Sequence, residues 1–362
     1  MRIGIDCRLS GKKHAGIGRY IENLITRLPT LRPDIEWVFF FYDSQQSQAL
    51  GPVNVLPNVR CVYAPVSHYT LQEQLKMPGI FRRAKLDLLH VPHFNIPFFY
   101  SGKILVTIHD LLWHEQQGSQ VTTLPTWQYR LKYAAYRWLV SKAISRAEKI
   151  VVPAETIKNT IEHYYPHSSK KILVTKEGIG NAFTHVKSPK TKRQTQLLYV
   201  GSLYPHKNIS VVLDALPLLP EYSLKIVGAR NVFVEQVKKS VKEKQLQSQV
   251  EFVGYVPDEK LVALLQKSFA LVQPSLSEGF GLTGVEAFAT GTTVVASDIP
   301  IFREIYQQAA TYFDPAVPAA FARAIRLLEK ENYSHLTQIA LAQAKKYSWD
   351  SMAKETAASY EK

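Results

Sequence analysis

Short apolar runs alternate along this chain with longer segments whose apolar residues recur every three or four positions. In the first half the runs are Ile3–Asp6, Trp37–Tyr42, Leu88–Val91, Ile104–Ile108 and Ile150–Val152, with helical patterns such as Gly18–Leu28 between them. In the second half they are Leu197–Val200, Leu224–Val227, Val250–Phe252, Ala270–Gln273, Thr293–Ala296 and Thr311–Phe313. Helices are expected there at Ile209–Leu216, Val232–Lys244, Asp258–Gln266, Leu282–Ala289 and Pro318–Glu329. Strand alternating with helix predicts parallel sheets covered on both faces, so the fold class is α/β with two doubly wound domains. The boundary falls in Thr184–Gln196, which is polar and basic, contains Pro189 and has no apolar period. This places the domains at 1–185 and 190–345, followed by a last stretch over 346–362.

Length agrees, since 362 residues are too many for one ordinary α/β core. A hydrophobic fraction of 46% with 20% charged residues excludes disorder as the default. No run reaches the roughly 18–20 apolar residues of a membrane span. Asp6 and Arg8 interrupt what would have to be the apolar stretch of a secretory signal, so the protein is expected in the cytoplasm. Two cysteines, Cys7 and Cys61, are too few for a disulfide framework or a cysteine-based zinc site.

The net charge of +14 changes the picture more, because it calls for nucleic acid, an anionic membrane surface or anionic small substrates. Its densest portion is 127–149, where Arg130, Lys132, Arg137, Lys142, Arg146 and Lys149 face one acid, Glu148. Trp127, Leu131, Ala134, Ala135 and Trp138 recur there at helical spacing, which predicts an amphipathic helix with a basic face. Two readings stay open: the aromatic residues pack into the first domain's core, or they meet lipid headgroups.

In an open parallel sheet a ligand lies beyond the carboxyl ends of the strands, so chemistry is sought in the loops that follow them. After the first strand comes Gly11–Tyr20, in which Gly16-Ile17-Gly18 leads into a helix expected near Arg19. Glycines there let the backbone approach a phosphate at a helix start, although neither a full dinucleotide fingerprint nor a Walker loop is present. After the strand at 197–200 comes Gly201-Ser202-Leu203-Tyr204-Pro205-His206-Lys207-Asn208, with Lys207 placed to face a diphosphate. The strand ending at Gln273 leads into Pro274–Ala287, where Gly279 and Gly281 free main-chain N–H groups at the start of a helix. Glu278 precedes that helix and Glu286 lies inside it, eight residues on. Two such carboxylates can accept hydrogen bonds from hydroxyls of two sugar rings, and a glutamate among Val285, Ala287 and Phe288 needs a partner. At the end of another run, Thr107-Ile108-His109-Asp110 offers a histidine able to hydrogen-bond a sugar or move a proton. No Asp-x-Asp, His-Glu-x-x-His, Cys-x-x-Cys or Gly-x-Ser-x-Gly occurs, so no metal is expected and a serine hydrolase of that type is disfavoured.

Taken together, GSLYPHKN (201–208), LKIVGAR (224–230), VEFVGYVPDEKL (250–261) and SEGFGLTGVEAFATGTTVVASDIP (277–300) resemble the GT4-type retaining glycosyltransferases of group 1 over nearly the whole chain. The resemblance implies the GT-B fold, two Rossmann-like domains facing a cleft, with 346–362 forming a helix that crosses back to the first. It implies that Glu278 contacts the transferred sugar and Glu286 the ribose. Lys207 binds the diphosphate, Gly16 and Gly18 approach the phosphates, and His109 lies beside the sugar ring. Val256, within Gly254–Pro257, passes near the base, and the donor set extends through Gly201, Gly279, Phe280, Gly281 and Leu282. The family usually has an arginine beside the glycine or the lysine, where this chain has Ser202 and His206, so stabilisation of the diphosphate is expected either to rest more heavily on Lys207 or to be shared with Arg19. Its asparagine before Gly178 is Glu177 here, and that turn is assigned no donor role.

The expected activity is therefore retaining, metal-independent transfer of a hexose, mannose first, from a nucleotide-diphosphate sugar. The acceptor is expected to be a saccharide or lipid-linked saccharide of cell-envelope polysaccharide synthesis. The enzyme would be cytoplasmic, with peripheral contact to the inner membrane face through 127–149. Alternatives are a nucleotide-sugar epimerase, a sugar phosphorylase or a non-catalytic nucleotide-binding partner of another transferase. Nucleic acid is disfavoured, because glycine- and glutamate-bearing loops have no part in holding a polyanion.

Overall fold

The computed structural model describes residues 1–11, 14–48, 50–115, 125–184, 186, 194–228 and 233–361. Most of the expected linker, and the ends of the Gly11–Tyr20 and Leu224–Arg230 motifs at 12–13 and 229–230, lie outside the described residues. The described residues divide into two compact units, one ending at 178 and resumed at 348, the other running from 179 to 347.

The first unit is built on a sheet of seven parallel strands. These are β1 (Arg2–Asp6), β2 (Glu36–Phe41), β3 (Val59–Tyr63), β4 (Leu88–Val91), β5 (Ile104–Thr107), β6 (Lys149–Val152) and β7 (Ile172–Val174), in spatial order β3-β2-β1-β4-β5-β6-β7. Ile3 of β1 sits opposite Trp37 on one side and Leu88 on the other. Because both faces are covered, five consecutive residues of β2, Trp37–Phe41, are buried, which is why the strand reads as one apolar run.

The second unit repeats the winding. Its strands are β8 (Gln196–Gly201), β9 (Ser223–Gly228), β10 (Val250–Gly254), β11 (Ala270–Gln273), β12 (Val294–Ser297) and β13 (Ala310–Phe313), ordered β10-β9-β8-β11-β12-β13. In each sheet the order reverses direction beside the first strand, between β1 and β4 and between β8 and β11. Loops on either side of such a reversal diverge and leave a crevice for ligand.

The sequence pattern passed over β3 and β7. Both are edge strands; β3 has only half-buried and exposed positions, and β7 has only three residues with Leu173 exposed. Neither presents the continuous apolar run of an interior strand. Helices Leu71–Arg83, Glu155–Tyr164, Pro300–Tyr306 and Tyr333–Ala344 were also not anticipated. In the first of these, Pro78-Gly79 reads as a breaker, yet the helix continues through it from a Thr70 cap whose hydroxyl accepts from the Glu73 N–H.

The basic segment is a helix over Thr126–Arg146, and of the two readings left open its aromatic stripe takes the exposed one. Tyr129, Tyr136, Val140, Ala143 and Ile144 are buried, whereas Trp127, Leu131 and Trp138 stay 64%, 65% and 47% exposed. The stripe that gave the helix its apolar period is thus its solvent face.

The last helix, Trp349–Ser359, belongs to the first unit. Ser348 caps it by accepting from the Asp350 N–H, and Asp350 pairs with Arg27 at 2.6 Å. Lys149 donates to the Ser359 carbonyl at its other end, and Tyr360 meets buried His90 at 2.7 Å. Gly178 permits the helix to dock, because a Cβ there would lie 2.0 Å from the Trp349 nitrogen.

The carboxyl end of β1 is fixed by a buried ion cluster. Arg8 binds Asp6 at 2.6 Å and Glu73 at 2.8 Å and donates to the Val66 carbonyl. Burial raises both carboxyls, but Arg8 at Asp6, and His68 with Arg8 at Glu73, outweigh it and hold both below their usual values. Groups depressed in the folded state stabilise it above their unfolded pKa and lose that contribution as pH falls. Denaturant unfolding should therefore show wild-type stability declining below about pH 4. Arg8→Leu, which strands two buried carboxylates, should cost about 3–5 kcal/mol at neutral pH. A variant as stable as wild type would contradict the structural role of the cluster.

Candidate functional site

In the second unit the two loops at the reversal point carry the residues singled out from the sequence. After β8 the chain turns at Gly201, whose φ of +148° favours glycine, and passes through a single 3-10 turn, Pro205–Lys207. Asn208 follows in the left-handed region with φ 51°, and its side-chain amide donates to the Pro315 carbonyl, which fixes where the turn ends. After β11 the loop runs through Pro274–Phe280 into the helix Leu282–Ala289. The Leu276 N–H donates to the His206 carbonyl at 2.8 Å, so the two loops are joined through their backbones.

They are joined again by charge. Lys207 Nζ lies 2.5 Å from Glu278 Oε1, and Ser275 Oγ donates to the same oxygen at 2.8 Å. Both side chains are largely buried, with 21% and 14% of their surfaces exposed. Burial pushes the Glu278 carboxyl up; Lys207 and the Ser275 hydroxyl overcome this and leave it below the usual carboxylate range. Glu278 is therefore a charged acceptor at neutral pH, and Lys207 faces it as a donor.

His206 contributes no charge. Burial, reinforced by Lys207 and only partly offset by Glu278, brings its pKa down to about 4. Its ring stacks on Tyr204 at 5.8 Å with 12° between planes. At the two positions where the family resemblance led an arginine to be expected, this chain has a neutral imidazole at 206 and a hydroxyl at 202.

Gly279, Phe280, Gly281 and Leu282 lead into the helix, with Gly281 as its left-handed cap at φ 86°. A Cβ on Gly281 would lie 2.3 Å from Tyr306 Oη, and one on Gly284 would meet the same hydroxyl at 2.3 Å. The Tyr306 hydroxyl donates to the Gly281 carbonyl at 2.7 Å, so a buried tyrosine shapes this turn. Glu286 is 2% exposed inside the helix, and a Cβ on Gly180 would lie 3.9 Å from its Oε1. At the ends of β9 and β10, Gly228 and Gly254 both have positive φ, and no atom lies within 4 Å of a Cβ built on Gly254. Half-buried Val256 follows it.

The first unit holds the other expected residues. The helix expected near Arg19 begins earlier, at Ala15, so Gly16, Gly18 and Arg19 all fall in its opening turns. Gly18 has a packing role, since a Cβ there would lie 2.1 Å from the Gly11 carbonyl oxygen, whereas a Cβ on Gly16 would touch nothing within 4 Å. Gly16 is thus the glycine of this pair with open space before it. His109 follows β5 and is mostly buried, with Glu177 Oε1 3.3 Å from its Nδ1 and Tyr20 edge-on at 4.8 Å. The sequence marked Glu177 only as a departure from a pattern. Nothing in the sequence pointed to Ser275, Tyr20 or Tyr306.

Among the described residues one group has the spacing of metal ligands, Asp6, His68 and Glu73, with ligand atoms within 4.8 Å of one another. Arg8 already pairs with both carboxylates. A cation would have to displace a buried guanidinium, so this donor set does not fit a metal.

Comparison with known proteins bears on the family and the fold. Residues 14–180 match the family described as Glycosyltransferase Family 4, and residues 181–346 match Glycosyl transferases group 1. The chain is 27% identical to the O-antigen chain mannosyltransferase RfbU of Salmonella typhimurium, over 74% of this chain and 71% of that one. It is 25% identical to the O-antigen chain mannosyltransferase B of Escherichia coli, over 95% of each. Among solved structures, Anabaena HepE in complex with UDP and glucose superposes with a TM-score of 0.74 at 15% identity, covering 99% of this chain and 98% of that one. WaaG, a glycosyltransferase involved in lipopolysaccharide biosynthesis, gives 0.74 at 14% identity over 99% and 98%. Two parallel sheets wound alike, two family matches meeting at residue 180, and relatives matched over most of their length place this chain in the group 1, family 4 glycosyltransferases of GT-B fold: it is a glycosyltransferase.

Proposed function

We propose that this glycosyltransferase moves a hexose, mannose first, from a nucleotide-diphosphate sugar to a saccharide or lipid-linked saccharide in the synthesis of cell-envelope polysaccharide. The observation that carries this reading is the buried Lys207–Glu278 pair on the two loops at the reversal of the second sheet. It sets a cation for a diphosphate beside a carboxylate for sugar hydroxyls. Mannose rests on the two O-antigen mannosyltransferase relatives.

On this reading Lys207 neutralises the leaving diphosphate and Glu278 accepts from a hydroxyl of the transferred sugar. Glu286 accepts from the ribose, and Val256 lies near the base. Main-chain N–H groups from Gly279 through Leu282, together with the Gly201 turn, approach the phosphates. Gly16 and Arg19 of the first unit are assigned to the phosphates and His109 to the sugar by the family pattern. Transfer retains configuration: the acceptor oxygen bonds the anomeric carbon on the face the diphosphate leaves, and the diphosphate takes the acceptor's proton. Charge develops on the departing phosphate, so fixed cations and amides supply the main stabilisation and no metal is required.

A peripheral membrane contact is favoured by one specific observation. Exposed Trp127, Leu131 and Trp138 lie among exposed Arg130, Lys132 and Lys142 on one helix. Phe98 packs on Trp138 at 4.9 Å beside exposed Phe99. Aromatic residues flanked by cations suit an anionic headgroup layer.

Three measurements test these statements. Thermal shift with GDP, UDP and ADP, with and without EDTA, should give a selective rise for one diphosphate that EDTA leaves unchanged. No shift with any nucleotide would favour the non-catalytic reading, and donor epimerisation without acceptor would favour an epimerase. Lys207→Ala should lower turnover by roughly 10²-fold, the scale of one lost electrostatic donor, and Glu286→Ala should weaken donor binding; wild-type kinetics in both would sink the assignment. Flotation with phosphatidylglycerol vesicles should recover the protein, and a Trp127→Ser, Leu131→Ser, Trp138→Ser variant should partition about tenfold less with donor binding intact. Equal recovery of the two would contradict the membrane contact.

A further inference from the structure

His109 is held more tightly than a histidine that merely ends a strand requires. β5 delivers it one residue past Ile108, whose N–H donates to the Val151 carbonyl of β6. Tyr20 closes one side of the ring edge-on at 4.8 Å, and the Tyr20 hydroxyl is anchored 3.1 Å from Thr107 Oγ1. Thr107 Oγ1 is held in turn by His90 Nε2 at 2.8 Å, and His90 Nδ1 by the Tyr360 hydroxyl at 2.7 Å. On the other side stands Glu177. Its turn follows β7, where the Thr175 N–H donates to the Val152 carbonyl, and the next residue is Gly178, which admits the Trp349 backbone. Both neighbours of His109 are therefore fixed by the sheet and by the last helix of the same unit.

The two ring nitrogens have different surroundings. Nδ1 lies 3.3 Å from Glu177 Oε1, with side-chain exposures of 11% for the histidine and 7% for the glutamate. Nε2 is buried and has no hydrogen-bond partner among the described residues. An ionised carboxylate can only accept, so the nitrogen facing it carries the proton and the other presents a lone pair. A buried nitrogen without a partner is costly unless something else fills that position. The other ionisable groups nearby do not compete for the ring. His90 and His93 are both brought down to about 3, by burial first and by His109 second, and so are uncharged at neutral pH. Asp110 turns Oδ1 toward the Leu112 N–H at 3.1 Å.

We propose that Glu177 is a positioning residue for the transfer: it holds His109 as the Nδ1–H tautomer, so that Nε2 accepts a hydrogen bond from a sugar hydroxyl of the substrate. This rests on the reading of His109 as the histidine at the sugar. It goes beyond that reading by giving a task to a residue at which this chain departs from the family pattern. It also predicts an order among substitutions at 177. A side chain with a carbonyl oxygen at the same reach preserves the tautomer, and an apolar side chain of similar size releases it.

The test combines spectroscopy with kinetics on the full chain. Histidine-labelled protein is examined by ¹⁵N NMR at about pH 8.5, where imidazoles are neutral, with His109 assigned by its absence in His109→Ala. The wild type should show Nδ1 protonated and Nε2 bare. Glu177→Leu should move the proton to Nε2 and lower kcat by about tenfold or more, with the donor KM nearly unchanged. Glu177→Gln should keep the wild-type tautomer and most of the turnover, and it serves as the folded control if the leucine variant is unstable. Protonated Nε2 in the wild type, or full turnover in Glu177→Leu, would overturn the proposal. Full turnover in His109→Ala would instead overturn the underlying reading of the histidine. Loss in His109→Ala beside an unaffected Glu177→Leu would sink the glutamate's role alone.

Discussion

After β8 and β11 two loops diverge, and the charged contact that spans them is a lysine held 2.5 Å from a glutamate. A largely buried carboxylate is costly unless it is paired, and so is a buried ammonium. Together they neutralise each other and fix the gap between the loops. The arrangement suits a site that must wait empty and then take an anion. Under the proposed reading, an arriving diphosphate gives Lys207 a second partner and frees lone pairs of Glu278 for a sugar hydroxyl. Around the pair, Ser275 supports the carboxylate and the His206–Leu276 backbone bond ties the loops. Tyr306 shapes the turn that opens the following helix. His206, neutral because it is buried, leaves Lys207 as the cation that the sequence motif brings to this point.

The same logic of burial explains how much was legible in the sequence. Interior strands of a parallel sheet are covered on both faces, so β2, β4, β5, β11 and β12 announce themselves as unbroken apolar runs. The edge strands β3 and β7 do not, because solvent reaches one side and the pattern thins. The helix at 126–146 shows an ambiguity that the sequence left open. Its apolar period was real, but Trp127, Leu131 and Trp138 belong to the exposed face, and the packed face is made of Tyr129, Tyr136, Val140, Ala143 and Ile144, a second apolar set on the same helix. Periodicity locates a face; it does not say which way that face turns.

At the candidate site the main-chain features were the readable part. Gly201, Gly279, Gly281, Lys207 and Glu278 sit in loops whose place follows from strand order, and the structure brings Lys207 and Glu278 into contact. The two glycines after the first strand looked equivalent and are not: Gly18 is required by the Gly11 carbonyl against which it packs, and Gly16 faces open space. Residues that act by holding another residue left no local signal. Ser275, Tyr306 and Tyr20 are ordinary side chains until the fold sets them beside Glu278, Gly281 and His109. Among the described residues two strands and three α-helices separate Glu177 from His109 in the chain, so their pairing exists only in three dimensions.

The central claim is that the loops after β8 and β11 form the donor diphosphate site. A crystal structure of the protein with a nucleoside diphosphate tests it most directly. The account predicts phosphate oxygens within hydrogen-bonding distance of Lys207 Nζ and of the main-chain N–H groups at 279–282, with Lys207 no longer held by Glu278 alone. A nucleotide well ordered elsewhere, with the Lys207–Glu278 contact unchanged, would contradict it.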